Sequence, residues 1–527
     1  MPAFVTTEAF TATDIQYATV APILIVLAGG LVGVLVEAFS PRARRHDIQV
    51  WVTAIALIAS LAVLLMITRD HQRSTLAGAV VVDGVSIYLM ALLLALTFIS
   101  VLVMSDRMSG RGADAFTPSG ASIPGSEGER MATRLGATTT EVFPLTLFSL
   151  AGMMAFVCAG DLLTMFVALE MLSFPLYVMT ALARRKRLLS QEAALKYFLL
   201  GSLSSAFFLF GAALLYGFSG TVSLSGIAQA IPNADVGQQL LLPGVLFVLF
   251  GLLFKIGAWP FHNWVPDVYQ GAPTPVTGFM AAGTKVAAFG ALLRLAYVGV
   301  AQTRWDWLFV MWIVAGLTMI VGSVLTVTQT DMKRLLAYSS IAHAGFILVG
   351  LLAFDRTAVG GVLFYLVAYG FATVAAFAMV FLVRSRADGS EATAISQWAG
   401  LGRNHPRFAA AFFVLLLTFA GIPLTGGFTA KIAAFVPAVQ YGGVAGVVLV
   451  VIAVICSIIT AYAYFKVAGL MYRPKESGGT PGDAVLVGAP SMGTTFAITL
   501  GLVVTLALGV FPGPLLNLFD VSTTFLR

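Results

Sequence analysis

Long runs of apolar residues, separated by short polar stretches, recur along the whole chain. An α-helix needs about 20 apolar residues to cross the hydrocarbon core of a bilayer. Fourteen runs approach that length, and the fourth and fifth meet at Gly160-Asp161. They lie at 17–38, 48–68, 82–104, 142–159, 161–183, 191–217, 240–259, 273–299, 305–328, 336–353, 360–383, 408–436, 441–471 and 492–516. The pattern predicts an all-α polytopic membrane protein with about 14 transmembrane helices.

Two of these predicted helices, the seventh and the twelfth, contain helix-breaking residues beside a lysine. Unpaired backbone groups are costly in hydrocarbon unless protein or water satisfies them. If helices 4–8 and 9–13 form two inverted five-helix repeats, each broken helix is fourth in its repeat. Paired breaks of this kind point to a transport site. The match is imperfect, because Lys255 precedes its break and Lys431 follows its own. The breaks contain Gly257 and Pro260 in helix 7, and Gly421, Pro423, Gly426 and Gly427 in helix 12.

The same pattern divides the chain into five segments. The polar stretch is rich in Gly, Ser, Thr and charge, and we expect a mobile cytoplasmic insert there rather than a folded domain. The segments are three N-terminal helices (1–104), the polar loop (105–141), the first repeat (142–299), the second repeat (300–471), and a loop with helix 14 (472–527).

Composition supports the membrane assignment and limits the other classes of function. The chain is 59% hydrophobic and only 10% charged, whereas soluble domains are roughly a quarter charged. The net charge of +6 is therefore no sign of nucleic-acid binding. Loops after odd-numbered helices hold nineteen of the thirty Lys and Arg residues, and the opposite loops hold five. This bias places the odd loops in the cytoplasm and both termini on the outer side.

Six basic residues remain inside the predicted helices. Lys285 lies in mid-helix, whereas Arg294 and Lys466 lie near helix ends, where we expect them to extend toward water. Glu170 is central in helix 5 and is the natural partner of Lys196 or Lys255. Burial and a movable carboxylate can change whether a lysine holds its proton. The six residues are Lys196, Lys255, Lys285, Arg294, Lys431 and Lys466.

One histidine also lies inside a predicted helix. His343 sits among Ser339, Ser340 and small residues of helix 10. An imidazole titrates near neutral pH and suits a proton relay with water, although a hydrogen-bonded core histidine gives the same pattern. His262 and Asp267 flank the break at Pro260, either orienting the loop or pairing with a neighbouring subunit.

Motifs for cofactors and metals are missing from the sequence. We find no P-loop, no G-x-G-x-x-G after a strand and no H-E-x-x-H. Cys158 and Cys456 lie in apolar runs without ligand spacing, so we read both as packing residues. No nucleotide, metal or redox centre is expected in this chain.

Three long motifs resemble the antiporter-like membrane subunits of respiratory complex I, the proton-translocating NADH–quinone oxidoreductase. The similarity spans residues from about 140 to 470 and is greatest to the subunit N branch. The motifs are FKIGAWPFHNWVPDVYQGAPTPVTGFMAAGTKVAAFGALLR (254–294), DMKRLLAYSSIAHAGF (331–346) and AGIPLTGGFTAKIAAF (420–435).

This resemblance implies a role for each buried charge. Glu170 matches the glutamate of helix 5, Lys255 the lysine of helix 7 and Lys285 the central lysine of helix 8. Lys431 matches the lysine of the exit half, and Lys196 a lysine that tunes the ion pair. Protons would move along a hydrated axis, driven by quinone reduction in a distant arm.

The resemblance also implies a setting for the chain. It would be a non-redox subunit of the H+-translocating enzyme in the bacterial plasma membrane. NADH, FMN, iron–sulfur clusters and quinone would bind other subunits, and subunit M with small membrane subunits would be neighbours.

Three alternatives stay open at this point. A cation/proton antiporter subunit of the Mrp type shares the lysines and the broken helices. An unrelated solute transporter would need substrate-sized polar groups at the midplane, where this chain offers mainly lysines. A structural subunit would use the same charges to hold its neighbours, without a proton path.

Overall fold

The structure is a computed structural model. It describes residues 15–66, 73–107, 114–135, 137–233, 238–386, 389–473, 485–522 and 525, which form twenty α-helices and four short strands. The helices of the first half are α1 (Tyr17–Phe39), α2 (Arg42–Met66), α3 (Gly84–Met104), α4 (Glu127–Arg134), α5 (Val142–Cys158), α6 (Leu162–Thr180), α7 (Arg187–Ser219), α8 (Leu224–Ala230), α9 (Gln238–Ile256) and α10 (Trp264–Gly271). Those of the second half are α11 (Thr274–Arg294), α12 (Arg304–Thr328), α13 (Met332–Leu351), α14 (Arg356–Leu382), α15 (Leu401–Asn404), α16 (Pro406–Ala420), α17 (Gly426–Tyr441), α18 (Gly443–Tyr472), α19 (Met492–Val510) and α20 (Gly513–Ser522). The strands pair antiparallel, β1 (Arg73–Thr75) with β2 (Val80–Val82) and β3 (Val383–Ser385) with β4 (Val485–Val487).

The helices are those of a multi-pass membrane protein. Twelve spans in the described part of the chain are long and apolar enough to cross a membrane, and α5 and α16 are shorter apolar helices. The predicted all-helical membrane fold is confirmed. The total of fourteen crossings and the inverted relation between the two repeats stay predictions. Predicted helix 7 corresponds to α9, which is followed by the short helix α10, and predicted helix 12 corresponds to α16 and α17.

Aspartate side chains cap the first turn of several helices. The carboxylate of Asp161 accepts a hydrogen bond from the Thr164 amide at 2.7 Å and caps α6. Asp331 accepts the amides of Lys333 and Arg334 at the start of α13. Such caps satisfy amides that have no partner inside the helix. The Asp161 cap marks the boundary between α5 and α6 at Gly160-Asp161, which the hydropathy pattern alone leaves ambiguous.

Three helices form the centre of the protein. Every residue of α11 is buried, and α13 and α14 are almost entirely buried. By contrast, much of the apolar surface of α1, α2, α18 and α19 is exposed on the outside of the chain. Polar side chains on α11 and α13 are therefore held inside protein rather than in lipid.

The described part of the 105–141 loop is packed on the turn between α6 and α7. Phe116 is buried, and the Thr117 amide donates to the Leu182 carbonyl at 2.8 Å. Asp114 pairs with Arg184 at 2.6 Å, and Glu129 of α4 pairs with Arg187 at 3.1 Å. A buried ring and two ion pairs thus hold these residues against the helices, and the mobility of the insert stays a prediction. Residues 108–113 and 136 lie outside the described residues.

The strand pair β3–β4 joins the segment after α14 to the segment before α19. Arg384 is paired with Leu486 in its register. The predicted position of the termini on the outer side concerns residues 1–14 and 526–527, which lie outside the described residues.

Candidate functional site

The two broken helices end in the same way. Gly257 follows α9 with φ +79° and Gly421 follows α16 with φ +77°, a left-handed conformation that glycine adopts without strain. The next amide in each case donates back to the carbonyl five residues earlier: Ala258 to Leu253 at 2.9 Å, and Ile422 to Leu417 at 3.1 Å. This pattern is a Schellman-type helix end.

A lysine binds the last carbonyl at each of these ends. The Lys285 ammonium of α11 donates to the Ile256 carbonyl at 2.9 Å. The Lys431 ammonium of α17 donates to the Ala420 carbonyl at 2.8 Å and to Ser457 Oγ at 3.0 Å. Helix carboxyl ends carry partial negative charge, which favours a cation there. Lys285, not Lys255, therefore occupies the position at its break that Lys431 occupies at the other.

Lys255 lies in the last turn of α9, one residue before the carbonyl that Lys285 binds. Its ammonium lies 5.8 Å from the ring centroid of Tyr177 and 5.3 Å from that of Tyr197. Glu170 interacts with it electrostatically, and one Glu170 oxygen is buried without a hydrogen-bond partner. No ion pair within 4 Å includes Glu170 among the described residues. The predicted Glu170–Lys255 relation is thus a longer-range one.

His343 interacts electrostatically with both lysines that bind helix ends. Its Nδ1 is 2.7 Å from the Tyr365 hydroxyl, and both Lys431 and Lys285 act on it electrostatically. Its Nε2 is buried without a hydrogen-bond partner in the described structure. The side chains of Lys285, His343 and Lys431 form what we call the central group.

Lys196 is separate from the central group. It pairs with Glu192 at 2.7 Å and with Asp267 at 2.9 Å, and its side chain is 44% exposed. Asp267 of α10 also pairs with Arg334 at 2.7 Å. Of the two partners left open for Glu170, Lys196 is instead paired with the carboxylates of α7 itself and of α10.

The remaining break residues lie in the two connections or at a helix start. Pro260 follows Trp259 through a cis peptide bond, and Pro423 lies in the turn before α17. Gly426 and Gly427 form the first turn of α17. His262 is buried beside the first connection.

Arg294 does not extend toward water as we expected. It is fully buried, and its guanidinium donates to Asp83 at 2.9 Å and to Ser86 at 2.6 Å. It also donates to the Val157 carbonyl at 3.2 Å. The acid of this pair comes from α3's N-cap, so the ion pair ties the end of α11 to the start of α3.

Lys333 is a buried cation that sequence reasoning assigned to a loop. Its ammonium donates to the Ala272 carbonyl at 2.6 Å and lies 3.6 Å from Glu391. The only sequence signal was its place beside Asp331, at the start of an apolar run. Among the described residues, no group of three or more His, Cys, Asp or Glu side chains is arranged to hold a metal ion.

The central group offers proton donors and acceptors without a redox or metal centre among the described side chains. An ammonium that loses its proton to a neighbour also weakens its bond to a helix end. At Lys285 and Lys431, the protonation state and the strength of the contact with a helix end are therefore linked.

Residues 159–460, more than half of the chain, match the family model described as "NADH:quinone oxidoreductase/Mrp antiporter, TM". The chain belongs to this family. The resemblance seen in the three motifs is thereby confirmed.

Individual members of the family give a finer comparison. The chain is 51% identical to "NADH-quinone oxidoreductase subunit N" of Rhodococcus opacus (strain B4), over 98% of this chain and 97% of that protein. A subunit of respiratory complex I from Thermus thermophilus with bound aureothin is 31% identical, with a TM-score of 0.73 over 94% of this chain and 98% of that chain. A chain of the Mrp complex from Dietzia sp. DQ12-45-1b has a TM-score of 0.76 over 97% of each chain, at 21% identity. At this identity, the similarity to the Mrp chain shows a shared fold and nothing further.

Proposed function

We propose that the chain is the subunit N-type membrane subunit of a proton-translocating NADH–quinone oxidoreductase. Support comes from the 51% identity to a protein of that name over nearly the full length of both chains. The observation that carries the mechanism is the matching contact of Lys285 and Lys431 with two broken helix ends.

In this proposal the central group passes protons between the two halves of the chain. Protonated Lys285 and Lys431 bind their helix ends, and each loosens its contact when it gives up a proton. His343 Nε2, which has no described partner, would accept a water that bridges toward the lysines. Glu170 would set the charge of Lys255 at the input side, and Lys196 would tune Asp267 from outside the group.

The energy needed to move a proton against the membrane potential is similar to the energy of one or two lysine–carbonyl contacts. Moving one charge against a membrane potential of ~150 mV costs about 3.5 kcal/mol. A hydrogen bond to a charged group contributes roughly 1.5–3 kcal/mol. Making and breaking one or two lysine–carbonyl contacts is therefore enough to couple a proton step to the potential.

The same proposal covers the setting of the chain. It lies in the bacterial plasma membrane with both termini outside, and the segments 142–299 and 300–471 act as inverted repeats. It acts as a non-redox subunit of the translocating enzyme, while NADH, FMN, iron–sulfur clusters and quinone bind elsewhere in the complex. Subunit M and small membrane subunits are its neighbours.

The test replaces Lys285 by Ala in the intact complex and measures NADH-driven proton uptake by inverted membrane vesicles. We expect less pumping and slower quinone reduction. Lys466→Ala is the matched control, because Lys466 is an exposed lysine on a predicted span. Unchanged pumping with Lys285→Ala would overturn the central-group mechanism, and sodium-dependent transport by the assembly would favour the Mrp-type alternative.

A further inference from the structure

Loops on the predicted cytoplasmic side enclose a cavity of about 400 Å³, separate from the central group. Its walls come from the α6–α7 turn, the α10–α11 connection, the segment after α14 and the residues around β4. We call it the basic cavity, because positive side chains dominate its lining.

The charges that line the basic cavity do not balance. Six basic side chains face two carboxylates, which leaves four positive charges in excess. The basic residues are Arg184, Arg185, Lys186, Lys333, Arg384 and Arg386, and the acids are Asp114 and Glu391.

Both carboxylates already interact with cations of the cavity lining. Asp114 is held by Arg184 at 2.6 Å. Glu391 accepts from the Thr274 hydroxyl at 2.5 Å and is shared by Lys333 at 3.6 Å and Arg384 at 3.9 Å. One carboxylate therefore serves two buried cations, at distances longer than a good hydrogen bond.

Arg384 is the least satisfied of these cations. The residue is only 7% exposed, and its Nε is buried without a hydrogen-bond partner in the described structure. Its guanidinium lies 4.5 Å from the centroid of the Phe381 ring, which covers one face but accepts no N–H. Burying a charged donor without an acceptor costs free energy. An anion bound beside Arg384 would lower that cost.

Backbone hydrogen bonds fix several of the segments that line the cavity. Arg384 belongs to β3, whose pairing with β4 fixes its backbone. The Met332 amide donates to the Thr393 carbonyl at 2.7 Å, and the Ser385 amide donates to the Ser390 carbonyl at 2.9 Å. The backbone that carries Arg384 is thus ordered before a ligand binds, which lowers the cost of binding.

We propose that the basic cavity binds a phosphate group, supplied by the headgroup of an anionic phospholipid or by a soluble phosphate. The planar guanidinium of Arg384 suits phosphate oxygens, and exposed Arg185 and Lys186 stand at the entrance. Basic pockets between transmembrane helices on the cytoplasmic side are a known form of headgroup site. This inference does not depend on the proton path.

The test uses the intact, delipidated complex with four versions of this chain. These are the natural chain, Arg185→Gln/Lys186→Gln, Arg384→Gln and Arg44→Gln. The double variant changes only exposed groups and so keeps the test valid if Arg384→Gln fails to fold. Arg44→Gln is the matched control, an exposed arginine on the same predicted side that does not line the cavity.

Two probes separate the sources of phosphate. One is phosphatidylglycerol with a photoreactive group near its glycerol, in phosphatidylcholine nanodiscs, with the crosslinks mapped by mass spectrometry. The other is radioactive inorganic phosphate in equilibrium dialysis. Each basic group near an anionic headgroup contributes roughly fivefold in affinity, so we expect roughly a twenty-five-fold loss in the double variant.

Crosslinks at residues 183–187, 384–386 and 389–391 that fall in the double variant but not in Arg44→Gln would support a headgroup site. Inorganic phosphate binding with the same dependence, without crosslinks, would support a soluble phosphate. Binding of neither probe, or equal binding by all four versions, would overturn the proposal.

Discussion

The ammonium of Lys285 lies 2.9 Å from the carbonyl oxygen of Ile256, the last residue of α9. Lys431 stands in the same relation to Ala420, the last residue of α16. The two lysines come from different places, because Lys285 belongs to α11, beyond the short helix α10, whereas Lys431 belongs to α17, the second half of the broken helix itself. The strength of each contact thus depends on whether the lysine is protonated.

Lys285→Arg distinguishes a lysine that carries a proton from one that only holds a helix end. Arginine keeps its charge at any pH a protein tolerates and can still donate to the Ile256 carbonyl. We expect NADH-driven proton pumping to fall about tenfold or more while the complex still assembles. Vesicle acidification measures pumping, and native gel electrophoresis measures assembly. Normal pumping with arginine would show that Lys285 has a structural role only, and Lys466→Arg controls for the added bulk.

Glu170→Gln and Glu170→Asp test the charge that faces Lys255. Glutamine removes the charge, and aspartate keeps it but moves it back by one methylene. Because Glu170 acts on Lys255 over a distance rather than in a tight pair, a shift of this size should be tolerated in part. We expect Gln to remove most pumping and Asp to retain a measurable share. Equal activity of the two variants would argue against a role for the charge.

The two broken helices were predictable from the sequence, because each break combines Gly and Pro within four residues, at Gly257–Pro260 and at Gly421–Pro423. A single proline is a weaker signal, since Pro175 lies inside α6. Lys285 and Lys431 were predictable for a similar reason, since a lysine in mid-span needs a polar partner. That the partner is a helix-end carbonyl could not be read from spacing. It depends on how α11 and α17 pack against α9 and α16.

Contacts between residues far apart in the sequence could not be predicted either. Arg294 and Asp83 are separated by 211 residues, and only the packing of α3 on α11 brings them together. Lys333 was counted with the loop charges, because burial at a helix start does not show in a hydropathy pattern. Phe116 was missed within a polar stretch, although one apolar ring can anchor a loop.

Asp83→Asn tests the buried ion pair with Arg294. Asparagine can still cap α3, so the main loss is the negative charge beside a fully buried guanidinium. Removing one partner of a buried pair costs about 3–5 kcal/mol. We expect a lower thermal unfolding midpoint in detergent and less assembled complex. Asp355→Asn is the matched control, an N-cap of α14 on the chain surface, and an equal loss there would contradict the assignment to the ion pair.

Glu391→Gln tests the carboxylate that two cations share at the basic cavity. Burial acts to raise the pKa of Glu391, but Lys333, Arg384 and the Thr274 hydroxyl outweigh it and leave the pKa below its ordinary value. A lowered pKa means that the carboxylate stabilises the folded state above the ordinary pKa, and that this contribution is lost as the pH falls through the folded pKa. The natural chain should therefore be more stable than Glu391→Gln at neutral pH, by about 1–3 kcal/mol.

The pH dependence of that difference is the decisive measurement. The difference should begin to shrink near the ordinary glutamate pKa of about 4.3, and it should vanish only below the lower folded pKa, where the natural carboxyl is neutral and resembles the glutamine that replaces it. Thermal unfolding of both chains between neutral and acid pH should then show the difference shrinking toward zero. Glu127→Gln changes an exposed glutamate of α4 and should show little difference at any pH. A difference for Glu391 that stayed constant, or grew with acid, would mean that the carboxylate is not what holds Lys333 and Arg384 in place.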